Sequence, residues 1–141
     1  MVKKVLLLGL ALLFFSSCSV DNDEPDVHFE FMPIENVVVP ETFQYGEIYT
    51  IEYTYYRPST CYFFSDLYYD AVGNTRTIAV INVVYHEDSD ITCTDLDNQL
   101  EAGSFQFQVN NSNGSYTFKF WQGVNEDGED EYLIIDVPIE N

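Results

Sequence analysis

The sequence predicts an all-β fold, an antiparallel β-sandwich of about seven short strands. Three observations carry this expectation. Apolar and polar residues alternate with period two along most of the chain beyond residue 27. Clusters of Gly, Asn, Asp and Pro separate the alternating runs. No stretch sustains the 3.6-residue period of an amphipathic helix. Aromatic residues make up 16% of the chain, with 11 Tyr and 11 Phe, so there is ample apolar surface to bury and disorder is not expected.

His28 to Met32 is the first candidate strand. Glu47 to Arg57 is the second. It places Tyr49, Ile51, Tyr53 and Tyr55 on one face and Thr50, Glu52 and Thr54 on the other. Cys61 to Tyr69 is the third. Arg76 to Tyr85 is apolar on both faces, as a central strand would be. Asp95 to Ala102 is expected to be loop, with one short turn of helix at most. Ser104 to Asn110 alternates cleanly, with Phe105, Phe107 and Val109 on one face. Asn111-Ser112-Asn113-Gly114 then reads as a hairpin, because Asn-Gly tolerates positive φ. Ser115 to Phe120 puts Tyr116, Phe118 and Phe120 together, with Trp121 on the opposite face. Tyr132 to Ile139 aligns Leu133, Ile135, Val137 and Ile139, and its Pro138 marks a strand end or an edge. About 115 residues hold these strands, which suits one sandwich with one core. Closure into a barrel is the competing arrangement.

The N-terminus has a different character. Lys3 and Lys4 precede an apolar run from Val5 to Phe15, and Ser16-Ser17-Cys18 ends it with small residues. That is the layout of a secretory signal peptide. The run is too short to span a membrane, which takes about 20 apolar residues. An ordinary signal peptide with an incidental cysteine is the plain alternative. The pattern resembles the lipobox of bacterial lipoproteins, with Phe15 where leucine is more usual. The resemblance implies cleavage before Cys18, a diacylglycerol on its sulfur and an acylated amine. Two or more acyl chains hold a protein on a bilayer stably, whereas one does so only marginally.

Beyond Cys18 the chain reads Ser19-Val20-Asp21-Asn22-Asp23-Glu24-Pro25-Asp26, an acidic stretch with too little apolar content to pack. It is expected to be a tether. It also resembles the surface-export signal of Bacteroidota lipoproteins, which implies the outer face of the outer membrane. The expected organisation is a signal peptide over 1–17, a lipidated acidic tether over 18–26 and a sandwich domain over 27–141. Val39-Pro40 before the first long strand, and Gly114 to Phe120 with the hairpin into Tyr132 to Ile139, are similar to immunoglobulin-like domains of such lipoproteins. Antibody domains bridge their sheets around a buried Trp. Here Cys61 starts the third strand, Cys93 follows the fourth and Trp121 comes late, so an antibody-type domain is not expected. Fold analogy carries no function with it.

Beyond the leader only Arg57, Arg76 and Lys119 are basic, against all 24 acids, a formal charge of −21. Such a chain repels nucleic acid and anionic lipid, so no nucleic-acid partner is expected and the membrane is reached through the lipid anchor. Cys61 and Cys93 form an even pair, which outside the cytoplasm reads as a disulfide; two free thiols are the alternative. No G-x-S-x-G, H-E-x-x-H or C-x-x-C motif occurs. His28 lies beside the tether and His86 at a strand end before Glu87-Asp88-Ser89-Asp90, in different contexts. Neither catalytic nor metal-binding residues are assigned, and no cofactor.

Asn125-Glu126-Asp127-Gly128-Glu129-Asp130-Glu131 carries hard oxygen ligands around a glycine. With Gly128 at position six of an EF-hand loop, positions one and twelve fall on Gly123 and Ile134, so that fit fails. An exposed acidic turn is the expected reading. Trp121, Tyr56, Tyr62 and Tyr68 are candidates to point outward, where aromatic rings stack on sugars or anchor proteins. The plain alternative puts them in the core. The expected function is that of an outer-membrane or cell-surface lipoprotein, a non-catalytic binding or structural module with a protein or glycan ligand. A small hydrolase or glycan-processing accessory is the second reading. A pocket with two carboxylates about 5–10 Å apart beside exposed aromatics would favour it.

Overall fold

The computed structural model describes residues 26–88 and 90–140. The leader 1–17, Cys18 and the tether as far as Pro25 lie outside the described residues. Among the described residues nine strands form: β1 (Val27–Met32), β2 (Ile34–Val38), β3 (Phe43–Gln44), β4 (Ile48–Ser59), β5 (Tyr62–Val72), β6 (Thr75–Tyr85), β7 (Asp95–Gln108), β8 (Ser115–Val124) and β9 (Asp130–Glu140). The all-β sandwich expected from the sequence is what they build. The described residues contain no helix.

One sheet has three antiparallel strands in the order β2-β4-β7. The other has six, centred on β6. β5 pairs with β6 from Thr75 to Val84 and occupies one edge. β8 and β1 share the opposite edge end to end, β8 along Thr75–Ile78 and β1 along Val80–Tyr85. β9 and β3 continue the sheet beyond β8. Two pairings, β6 with β8 and β3 with β9, are parallel, and the rest are antiparallel. β6 is apolar on both faces because it has neighbours on both edges and a buried core side.

The core lies where the two sheets face. Ile51, Tyr53 and Tyr55 of β4 meet Tyr116, Phe118 and Phe120 of β8, with Phe43, Phe107, Val109 and Val137 completing it. Apart from Phe43, which lies on a strand the sequence did not reveal, each of these sits on the face that alternation assigns to it. The Phe107 ring stands edge-on to Tyr116 at 4.8 Å and to Phe118 at 5.0 Å, the geometry that aromatic quadrupoles prefer.

Three expectations need correction. Asn111 to Gly114 does not close a hairpin. β7 and β8 belong to different sheets, so this segment is a corner between them. The Tyr116 hydroxyl accepts the backbone N–H groups of Asn110 (3.1 Å) and Asn111 (3.2 Å) and pins that corner. Immunoglobulin-like sandwiches use the same tyrosine corner. Second, Asp95 to Ala102 is the first part of β7, not loop or helix. Its pattern is polar because β4 fills the core at that end: Gly103 lies opposite Tyr53, whose ring covers it. A Cβ on Gly103 would stand 2.3 Å from the Tyr53 hydroxyl oxygen, so only glycine fits. Third, β2 and β3 are additional strands. Pro33 and a register shift between Ile34 and Asn36 break the alternation of β2, and β3 is two residues long.

Candidate functional site

The outer face of the six-stranded sheet is aromatic where alternation would normally leave polar side chains. β1 contributes Phe29, 64% exposed, and Phe31, 49% exposed; β5 contributes Phe63 and Tyr68, the latter 43% exposed. β8 and β9 contribute Trp121 and Tyr132, which are register partners and half-buried. Single exposed apolar residues need no explanation, but here Phe31, Tyr68, Trp121 and Tyr132 are neighbours on one face.

An open trough of about 290 Å³ runs through this face, lined by Phe31, Tyr68, Thr77, Ala79, Trp121, Asp130 and Tyr132. The strand order explains it. β6 carries the small Thr77 and Ala79 as a floor, while larger rings on β5, β1, β8 and β9 form the sides. Phe31 stands edge-on to Tyr68 at 5.9 Å and tilted against Trp121 at 5.7 Å. The indole Nε1–H of Trp121 donates to Asp130 Oδ1 at 2.8 Å, which fixes the ring plane. Lys119 Nζ lies 4.2 Å from the centre of the Tyr132 ring, a cation–π contact. Burial, and then the Asp130 charge, push the Tyr132 phenol above its ordinary value. It therefore remains a neutral donor. The trough offers flat ring faces with a carboxylate, a hydroxyl and phenol groups at their edges.

The outward candidates divide. Trp121 and Tyr68 meet in the trough. Tyr56 is exposed on the other sheet, opposite Leu100. Tyr62 turns inward, half-buried, and its hydroxyl donates to Glu30 Oε2 at 3.1 Å. Phe31 and Tyr132 were not among the outward candidates, and Asp130 was considered only as part of the acidic turn. Their signal was present, since Tyr132 must face away from Leu133 and Ile135, and Phe31 away from Met32.

Cys61 and Cys93 are bonded, with their Cα atoms 5.3 Å apart. The acidic segment 125–131 turns tightly over 125–129 and runs into β9. Asn125 Oδ1 accepts the N–H of Asp127 at 3.0 Å and of Glu129 at 2.9 Å, and Gly128 sits at φ 79°. The acidic residues after His86 are also stapled locally. Asp88 Oδ1 accepts the N–H of Asp90 and Ile91, and Glu87 accepts that of Cys93. All three basic side chains of the described residues lie over rings: Arg57 over Phe63, Arg76 over Tyr116 and Lys119 over Tyr132.

The histidines do not lie in separate contexts. β1 runs antiparallel to β6 with His28 beside Val84, and this brings His28 Nδ1 to 3.0 Å from His86 Nε2. Glu30 Oε1 is 2.5 Å from His28 Nε2. Sequence distance hid this meeting, because 58 residues separate the two.

No protein-family model, curated protein or solved structure matches the chain.

Proposed function

We propose that this protein is a lipid-anchored surface lipoprotein whose aromatic trough binds a neutral glycan without chemical conversion. The carrying observation is the trough itself: Phe31, Tyr68, Trp121 and Tyr132 around Thr77 and Asp130. A pyranose ring has an apolar C–H face that stacks on aromatic rings and a hydroxyl rim that hydrogen-bonds to carboxylate, hydroxyl and phenol groups. A purely apolar partner would leave Asp130 and Thr77 without use. An anionic partner would meet the field of a mature chain bearing a formal charge of −21, from three basic residues and 24 acids. A neutral saccharide meets neither obstacle.

The hydrolase reading is weaker on the criterion set for it. Glycoside hydrolysis uses two carboxyl groups about 5–9.5 Å apart. Asp130 is the one carboxylate among the lining residues, and it is already engaged by the Trp121 indole. A binding role needs no second acid.

Trp121→Ala tests the assignment. The wild-type chain is expected to be retarded in native gels containing a neutral polysaccharide, and the variant to lose at least about tenfold in affinity, ~1.4 kcal/mol. Equal retardation of the two would remove the trough from the account. The anchor is tested separately. Cys18→Ala is expected to abolish incorporation of a fatty-acid probe, because the thiol is the acyl acceptor. Undiminished labelling would refute lipidation at Cys18.

A further inference from the structure

Where the start of β1 lies beside the end of β6, four ionisable side chains meet away from the trough. We propose that His28 Nδ1, His86 Nε2 and the Asp26 carboxylate form a binding site for a divalent transition-metal ion of borderline softness, Zn²⁺ in particular. Two imidazole nitrogens bound to one tetrahedral Zn²⁺ at about 2.0–2.1 Å each lie roughly 3.3 Å apart. His28 Nδ1 and His86 Nε2 are 3.0 Å apart, in hydrogen-bond contact, so the ion would replace the shared proton and the two rings would turn to aim both lone pairs at it.

The surroundings fix the ligand atoms. Glu30 Oε1, 2.5 Å from His28 Nε2, accepts from that nitrogen in the tautomer that leaves Nδ1 free to ligate. The Nδ1 lone pair is then directed at His86. Tyr62 in turn donates to the other Glu30 oxygen at 3.1 Å. A carboxylate behind a histidine, itself hydrogen-bonded, is the support that metal-ligating imidazoles ordinarily have. Among the described residues no three His, Cys, Asp or Glu side chains converge closely enough to hold an ion outright. Side-chain movement must therefore bring in the third ligand. Asp26 Oδ1 is 4.0 Å from His86 Nε2, and its side chain is 87% exposed, so it can swing inward. Water completes a tetrahedral set. Nitrogen-rich ligation favours Zn²⁺ over Ca²⁺ or Mg²⁺, which take oxygen ligands.

The consequence is mechanical. The His86 N–H already donates to the Asp26 carbonyl at 3.1 Å. A bound ion would clip the start of β1 to the end of β6 and would stabilise the fold by mass action.

The test is Zn²⁺ titration of the purified chain, followed by calorimetry and by melting temperature. One equivalent is expected to bind at micromolar concentration and raise the melting temperature. His86→Ala, at a half-exposed position that tolerates the change, is expected to lose at least tenfold in affinity. Glu30→Gln leaves the ligands in place and is expected to weaken binding roughly tenfold. Absence of stoichiometric binding by the wild type would overturn the proposal. So would unchanged binding by His86→Ala, or an equal shift with Mg²⁺, which would mark diffuse association with the acidic surface.

Discussion

Phe118→Ala is expected to destabilise the domain by about 3–5 kcal/mol, the range for truncating a buried phenylalanine. The side chain is fully buried, and β8 holds it between Phe107, at 5.0 Å, and Phe120, at 6.0 Å. Phe43 closes on it from the edge of the sheet at 6.0 Å. Rings this interlocked cannot collapse into the space left, so the loss includes a cavity as well as the transfer of the ring. Domains of this size are stable by about 5–15 kcal/mol, so the change removes a large share of the total. Urea denaturation measures it. Ile134→Ala, at a partly exposed position on the neighbouring β9, is the control and is expected to change stability by about 0.5 kcal/mol or less. Similar effects at the two positions would contradict the assignment of faces.

The second large effect concerns the disulfide. Cys61 and Cys93 are 32 residues apart, and their bond ties the β4–β5 turn to the loop after β6. Closing a loop of that length restricts the unfolded chain by about 3–4 kcal/mol in the chain-entropy model. Replacing both cysteines by serine is therefore expected to lower the melting temperature by roughly 10–20 °C. The trough lies on other parts of the sheet, so the double variant is expected to keep its glycan affinity below that temperature. A shift under about 2 °C would mean that the neighbouring contacts, including Thr60 N–H to the Thr94 carbonyl at 2.9 Å, hold the loop without the bond.

The parts of this fold that were legible in the sequence are those where alternation is uninterrupted. Ile51-Tyr53-Tyr55, Tyr116-Phe118-Phe120 and Val137-Ile139 each point where period two puts them. Alternation says which face a side chain takes and not which strand lies next to it. That is why Asn111 to Gly114 reads as a hairpin, although β7 and β8 pair in different sheets. It is also why the polar start of β7 is invisible, since its core side is filled by Tyr53 across Gly103. The aromatic face was half legible for the same reason. Trp121 and Tyr68 stood out singly, but their meeting with Phe31 and Tyr132 depends on β1 and β8 sharing one edge of β6. The His28–His86 contact follows from that same long-range pairing.

Trp121 is the only tryptophan in the chain and lines the trough, so its fluorescence reports on the proposed site alone. Titration with neutral oligosaccharides is the most direct test of glycan binding. The expected result is a saturable change in intensity with a blue shift, as a sugar face covers the indole and excludes water. Tyr132→Ala is expected to weaken it, while the double cysteine-to-serine variant leaves it unaltered. An indole signal that stays flat across a panel of neutral glycans at millimolar concentration would contradict the assignment of this face to glycan binding.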